Sequence, residues 1–210
     1  MAAVVLGLAH PSRAHASAAG ERALESRAEA HSRFFADVAV FAAVADADFR
    51  ESGRDVAELN GFGCELALRL GGFTGSHVLL TAEVDLSYLR TDAPEVHDSE
   101  YFTRTRAVAS QYFNWTLGPQ LTIYPSTDAG LFFGLGVGLG LMSLPAFTEG
   151  GVPLSARYLV EGGYQFIAAG GQPIEAVIRY AAAGADELMS SEHPDSLTSQ
   201  QLELGVRLAL

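Results

Sequence analysis

The residues of this sequence that could do chemistry are acids and arginines at every second position of otherwise apolar segments. Between residues 60 and 70, Glu65 and Arg69 fall on odd positions together with Gly63, whereas every even position from Phe62 to Leu70 is apolar. Side chains of a β-strand point alternately to its two faces, so this spacing places the charges on one face. Charges collected in this way can form an ion network, a proton or ion path, or part of an acid–base site.

Charged side chains obey the same rule along most of the chain. The set is Asp37, Glu65, Arg69, Glu83, Asp85, Arg157, Glu161, Glu175, Arg179, Glu203 and Arg207. Seven of them are acids and four are arginines, and buried charges need partners because an unpaired one is costly. We interpret the set as a structural ion network that fills an interior. A proton or ion path is the alternative.

Eight segments that alternate in this way predict strands, and six of them carry these charges. They cover roughly residues 34–48, 59–71, 76–90, 107–124, 129–143, 155–168, 173–183 and 198–210. No charged residue falls on the apolar parity of the strand cores, which is typical of a surface facing lipid, where an arginine near mid-membrane costs about 2–4 kcal/mol. Cys64 then faces lipid, and Trp115, Tyr88 and Tyr180 are interpreted as aromatic residues at the membrane interface.

Residues 129–147 are almost entirely apolar and also fit the pattern of a membrane helix. Glycines fall on one parity between Gly130 and Gly140, however, and large apolar residues fall on the other. A period of two with this much glycine favours a strand. We expect these glycines to make space for bulky neighbours such as Tyr112 or Arg157.

Short and long connections alternate between the predicted strands. The short ones lie at residues 71–75, 124–129 and 168–173, and the longer polar ones at about 49–58, 91–106, 144–154 and 184–197. Together with the strand count, this predicts an all-β fold, an eight-stranded antiparallel transmembrane β-barrel with up-and-down order. A tight turn near Gly170 makes Glu161 and Arg179 neighbours on one face. Pro119 conflicts with its strand because it has no N–H to donate.

The composition excludes several classes of function. A formal net charge of −12 argues against nucleic acid, and the single cysteine excludes an intramolecular disulfide. No Cys/His cluster has the spacing of a zinc site. Residues 1–16 predict a signal peptide cleaved after Ala16. Residues 17–33 are expected to be a periplasmic lead-in and residues 34–210 the barrel.

Two polar neighbourhoods in the predicted long connections contain acid, base and hydroxyl groups. One is His97 with Asp98, and the other is His193 with Asp195 and Ser196. No third group that would orient a catalytic pair is identifiable. We therefore expect no catalytic residue, no cofactor and no metal ligand, and hence no enzyme activity.

On strand count and loop alternation, residues 34–210 resemble the small eight-stranded outer-membrane barrels of Gram-negative bacteria, of the outer membrane protein A and X type. The resemblance implies a bacterial outer membrane, termini in the periplasm and insertion by the barrel-assembly machinery. In that family the last strand commonly ends in an aromatic residue, whereas this chain has Leu210 there.

The expected function is that of a structural or surface-interaction barrel with a largely plugged polar lumen. The expected partners are outer-membrane lipid and lipopolysaccharide, and the chain is expected to be a monomer. A narrow porin-like ion channel is the main alternative. A lipid-modifying barrel enzyme and a soluble lipocalin-like binder, with an apolar cavity and a polar exterior, are weaker alternatives.

Overall fold

The structure, a computed structural model, describes nine separate stretches of the chain. They are residues 35–51, 54–74, 77–92, 95–96, 111–125, 130–143, 154–167, 173–186 and 196–210. The predicted signal peptide at residues 1–16 and the lead-in at residues 17–33 lie outside these stretches.

Nine strands form within the described residues. They are β1 Phe35–Glu51, β2 Arg54–Phe73, β3 Val78–Thr91, β4 Glu95–Val96, β5 Gln111–Ile123, β6 Leu131–Ser143, β7 Leu154–Ile167, β8 Pro173–Asp186 and β9 Ser196–Ala209. β4 has only two residues and pairs with β2 beyond the point where β3 ends. The other eight strands make the wall. Each long strand pairs antiparallel with the next one in the chain, and β1 pairs with β9 as well as β2.

The wall is therefore a closed eight-stranded antiparallel barrel with up-and-down order, which confirms the predicted fold class. The helical alternative for residues 129–147 is wrong, because most of this stretch is strand β6. In the described parts of the chain, no helix is long and apolar enough to cross a membrane.

The two faces of the wall carry the polarity that the alternation predicts. Leu66, Leu68, Leu135 and Leu204 point outward and keep 45%, 39%, 57% and 60% of their surface exposed. Cys64 is also exposed on the outside. The reversed arrangement of a lipocalin-like binder, with apolar side chains inside and polar ones outside, is contradicted by these positions.

The first hairpin is longer than predicted. The connection expected at residues 49–58 is mostly strand, because β1 continues to Glu51 and β2 starts at Arg54. In this extension of the hairpin the side chains still alternate between the two faces, but the outer face is polar and the inner face is apolar. Asp48 opposite Glu58 lies on the outer face, whereas Phe49 and Leu59 are buried inside. Because the outer positions of this segment are charged, the sequence predicted a polar connection here instead of a strand.

Pro119 lies in β5 with its side chain on the outer face. Its strand pairs continuously with β3, where Ala82 lies opposite Pro119. On the other side, the ladder with β6 is interrupted at Gly118 and Pro119 and resumes in the same register. No residue is inserted, so an interrupted ladder accommodates the proline rather than a bulge.

The barrel has two distinct ends, which we name by their connections. The turn end holds Phe35, Ala209 and the short connections, and the loop end holds the longer ones. A loop-end layer of buried apolar residues comes from seven of the eight wall strands. It consists of Ala43, Ala47, Phe49, Leu59, Leu89, Tyr112, Met142, Ala183 and Leu197.

A second apolar cluster packs in the turn-end half of the barrel. Its buried members are Ala39, Phe41, Ala67, Leu79, Tyr124, Phe132 and Val177. The charged residues lie between and beside these two clusters. The core of this protein is thus layered, with a polar middle and an apolar layer toward the loop end.

Candidate functional site: the interior ion network

The structure places all eleven charged residues of the predicted network inside the barrel. Glu175 is 5% exposed, and each of the others is at most 3% exposed. The alternation of each strand positions them, because every second side chain of a closed wall points inward. The structure brings them together as one connected set of ion pairs.

Arg179 lies at the centre of the network. Its Nη1 atom lies 2.8 Å from Glu65 Oε1 and 3.2 Å from Asp85 Oδ1. Its Nη2 atom donates to Glu83 Oε2 at 3.1 Å and to Glu161 Oε2 at 3.2 Å. One guanidinium thereby ties together carboxylates from β2, β3 and β7. The prediction that Glu161 and Arg179 are neighbours is confirmed, because the two residues are also direct cross-strand partners.

Arg157 serves the half of the network nearer the loop end. Its Nη2 atom donates to Glu65 Oε2 at 2.8 Å and to Glu203 Oε1 at 2.9 Å. Its Nη1 atom lies 2.9 Å from Asp85 Oδ2. Ser87 donates a hydrogen bond to Glu65 as well. Two acids from different strands, Glu65 and Glu203, therefore share a single nitrogen.

Arg69 and Arg207 serve the half nearer the turn end. Arg69 hydrogen-bonds Asp37 through both Nε and Nη2, and Arg207 donates to Glu175 Oε2 at 3.0 Å and to Glu161 Oε2 at 2.6 Å. Glu161 thus contacts three of the four arginines.

Two aromatic rings inside the barrel support arginines of the network. The guanidinium carbon of Arg179 lies 4.4 Å from the centroid of the Phe41 ring, and that of Arg207 lies 5.7 Å from the Phe132 ring. At these distances a guanidinium is attracted to the ring face. Sequence reasoning missed both rings because it assigned large apolar residues to lipid. Their parity, shared with Asp37 and with the β6 glycines, was the available signal.

The glycines of β6 make room for bulky interior side chains of β7. A Cβ on Gly134 would lie 2.6 Å from Glu161 Cγ, and one on Gly136 would lie 2.8 Å from Leu159 Cγ. Side chains of the neighbouring strand β7 thus lie across the bare inner face of β6. Tyr112 and Arg157 are not among the nearest atoms at these positions.

Several buried polar atoms of the network have no hydrogen-bond partner. Among the carboxylates they are Glu83 Oε1 and Glu203 Oε2, and the latter lies 3.8 Å from Arg179 Nε. Outside the network, Gln120 Nε2 and both side-chain polar atoms of Asn114 also have no hydrogen-bond partner. A cavity of about 10 Å³ adjoins Glu83, Asp85 and Gln120 beside the interrupted β5–β6 ladder. This volume fits about one water molecule.

The remaining polar neighbourhoods named from the sequence fall largely outside the described residues. His97, Asp98, His193 and Asp195 are among them, and Ser196 begins β9. Within the described stretches, no group of three or more His, Cys, Asp or Glu side chains could hold a metal ion. The interior network is therefore the candidate site that the described structure offers.

The aromatic residues assigned to the membrane interface lie on the outer face. Tyr88, Trp115 and Tyr180 are 38%, 41% and 45% exposed. The Tyr180 hydroxyl donates to Gln200 Oε1 at 2.9 Å, where the outer face of β9 changes from apolar to polar. An apolar ring with a hydrogen-bonded hydroxyl suits a boundary between apolar and aqueous surroundings.

Comparisons with known proteins report the fold alone. No protein-family model matches the sequence, and no curated protein matches it. Among solved structures, the chain is similar to Neisserial surface protein A, with 17% identity, a TM-score of 0.45, and 82% of this chain and 96% of that one covered.

Two further solved structures are similar at still lower identity. Ail, the attachment invasion locus protein of Yersinia pestis, has 14% identity and a TM-score of 0.42 over 84% of this chain and 98% of that one. The outer membrane protein OprG from Pseudomonas aeruginosa has 10% identity and a TM-score of 0.43 over 84% and 95%.

Proposed function

We propose that this chain is a monomeric outer-membrane barrel with a closed interior, acting as a structural or surface-interaction protein without catalysis. One observation carries the proposal. The apolar loop-end layer receives side chains from seven wall strands and lies between the ion network and the loop end. A conducting pore needs a continuous polar path, and eight strands leave an interior that side chains can fill.

The outer surface supports the location in a membrane. On the outer face, apolar side chains follow one another along every wall strand, and charge begins only near the loop end, at Asp46 and Arg90. A barrel with an apolar band outside and polar groups inside is the form that spans an outer membrane. Outer-membrane barrels have their short turns in the periplasm, so the turn end with Phe35 and Ala209 would face the periplasm. The barrel-assembly machinery is the proposed partner for insertion.

Surface interaction is assigned to the loop end. In the sequence, acids are frequent in and beside the long connections of this end, and divalent cations can bridge carboxylates to the phosphates of lipopolysaccharide. They are Glu51, Asp55, Asp92, Glu95, Asp98, Glu100, Asp186, Glu187, Glu192 and Asp195. Glu51 and Asp55 belong to the extended first hairpin rather than to a loop.

A shortened variant tests this function. Residues 97–110, 144–153 and 187–195 are replaced by short Gly-Ser connections, which leaves all described strands intact. The variant should keep the shift between boiled and unboiled samples on SDS gels that marks a folded barrel. It should lose the binding to lipopolysaccharide that the wild type shows in Mg²⁺ and loses in EDTA. Equal binding by both proteins would contradict the proposal.

The runner-up function is a narrow, weakly cation-selective channel. It is favoured by the excess of seven acids over four arginines inside the barrel. Ion flux into vesicles containing the purified barrel separates the two functions, because a closed interior gives no flux above that of empty vesicles.

A further inference from the structure

The barrel wall lacks a backbone hydrogen bond where Pro119 interrupts the ladder between β5 and β6. The register is the same on both sides of the break, so the two missing pairs are Gly118 with Gly138 and Pro119 with Val137. A hydrogen bond from an N–H at position 119 to the carbonyl of Val137 would support both pairs, and proline has no N–H. The Val137 carbonyl therefore lacks its donor in β5.

The bilayer cannot supply the missing donor. Pro119 lies on the outer face between Leu117 and Leu121, which are 46% and 36% exposed within the apolar band. Hydrocarbon has no hydrogen-bonding groups, so a backbone carbonyl at this depth must find its partner within the protein. This step rests on the proposed membrane location, and it requires a donor from the interior of the barrel.

An interior cavity borders the interrupted position. Its volume is about 10 Å³, and its lining includes Gly118, Gly138, Val137 and Gln120. The two glycines face each other on the inner side of the wall and are only half-buried there. A Cβ on Gly138 would have backbone atoms as its nearest neighbours, the closest being the Leu117 carbonyl oxygen at 3.3 Å. The cavity thus lies in front of a glycine pair that contributes no side chain to fill it.

Two side chains beside this cavity each have a polar atom without a hydrogen-bond partner. Glu83 accepts from Arg179 Nη2 through Oε2 at 3.1 Å, and its Oε1 has no partner. Gln120 accepts from Arg69 Nη1 through Oε1 at 3.4 Å, and its Nε2 has no partner. Both residues line the cavity and are at most 2% exposed. An arginine holds one end of each group, which leaves the other end for a ligand.

We propose that this cavity is a binding site for one water molecule, which replaces the N–H missing at Pro119 and joins the wall to the ion network. The water donates to the Val137 carbonyl and to Glu83 Oε1, and it accepts from Gln120 Nε2. Three hydrogen bonds are typical of a buried water, and a volume of about 10 Å³ holds about one.

The chemistry of the lining disfavours other occupants. A metal cation would repel the Nε2 hydrogens of Gln120, and no group of three or more acidic, His or Cys side chains in the described residues could hold a metal. Cavities that stay empty are apolar, whereas this one is also lined by Glu83, Asp85 and Arg157. A water molecule is the ligand that fits both the volume and the polar groups.

The glycine pair offers a variant that removes the site. In Gly138→Ala the new methyl group would occupy the cavity with only a small adjustment of the neighbouring backbone. Gly118→Ala is unsuitable, because its Cβ would lie 1.8 Å from the Val137 carbonyl oxygen. Gly72→Ala is the matched control, because nothing lies within 4 Å of its Cβ position.

Nuclear magnetic resonance of the isotope-labelled full chain in detergent micelles tests the proposal and needs no variant. Rotating-frame cross-relaxation should show contacts between water and the Nε2 protons of Gln120, and between water and the α-protons of Gly118 and Gly138. Their sign should be that of direct contact rather than of proton exchange. Absence of these contacts from the folded wild type would overturn the proposal.

The variants assign the contacts to this cavity. Folded Gly138→Ala should lose them, whereas Gly72→Ala should keep them, and contacts that persist in both would overturn the assignment. Replacing Na⁺ by a bulky organic cation should leave the contacts and the stability unchanged, and a strong loss of stability would identify a cation as the occupant instead. These readouts involve neither conductance nor lipopolysaccharide binding, so the water site can fail while the proposed function holds.

Discussion

At the residue scale, Arg179 is the side chain on which the interior depends most. Its guanidinium contacts carboxylates of four strands, including Glu203 at 3.8 Å, and packs on Phe41. Removing one partner of a buried ion pair leaves an uncompensated charge, which typically costs about 3–5 kcal/mol.

The substitution Arg179→Met keeps much of the apolar stem and removes the charge. We expect it to lower the free energy of unfolding by about 3–5 kcal/mol. Arg90→Met, on the exposed outer face, is the control, with an expected change within about 0.5 kcal/mol. Guanidinium titration in vesicles measures both. Equal losses for the two variants would mean that the network does not stabilise the barrel.

The glycines of β6 give a second prediction at this scale. In Gly136→Ala the new Cβ would lie 2.8 Å from Leu159 Cγ, so the core must shift, at an expected cost of about 1–3 kcal/mol. Gly72→Ala is the matched control, because nothing lies within 4 Å of its Cβ position. There we expect unchanged or slightly increased stability. A neutral Gly136→Ala variant would show that the interior is loosely packed.

Cys64 tests the orientation of a single side chain. It is exposed on the outer face of β2, opposite Tyr88 of β3. In intact membranes it should react slowly with a charged maleimide, and it should react fast after denaturation. A cysteine introduced at Asp46, near the loop end, in a Cys64→Ala background serves as the accessible control. Rapid labelling of Cys64 in whole cells would contradict a lipid-facing position.

At the element scale, the alternation of side chains determined which face of each strand points inward, and it could be predicted from the sequence. The short turn between β7 and β8 also made it possible to predict that Glu161 lies beside Arg179, because the position of a turn determines the register of its hairpin. Contacts across the barrel, such as Arg157 with Glu65, depend on closure and stagger of the whole sheet. No local pattern encodes these.

The apolar interior layers were missed for a related reason. Phe49 and Leu197 have inward parity, but the sequence placed both in long polar connections, and no role was predicted for Leu59. Near the loop end the outer face becomes polar while the inner face becomes apolar. A rule that equates apolar with outside therefore holds only along the middle of each strand.

The outer face of β9 yields a prediction for the element. Leu204→Arg places a charge in the middle of the apolar band and should cost about 2–4 kcal/mol in a lipid bilayer. Thr198→Arg, on the same face beyond that band and opposite Asp48 of β1, should cost at most about 1 kcal/mol. If the two variants are equally stable in vesicles, this face does not contact lipid.

At the scale of the whole molecule, the structure combines an apolar exterior, a charged middle and an apolar layer toward the loop end. This arrangement leaves the ion network in contact with one end of the barrel at most. We propose that such an interior is closed to ions, and hence that the protein is a structural or surface-interaction barrel and not a channel.

Single-channel recording of the purified barrel in planar lipid bilayers tests that claim most directly. Insertion is verified beforehand by the shift between boiled and unboiled samples on SDS gels. The closed interior predicts an electrically silent protein at every salt concentration. Stable conductance steps that scale with salt and change in the Glu83→Ala variant would contradict it, because they would show a polar path through the ion network.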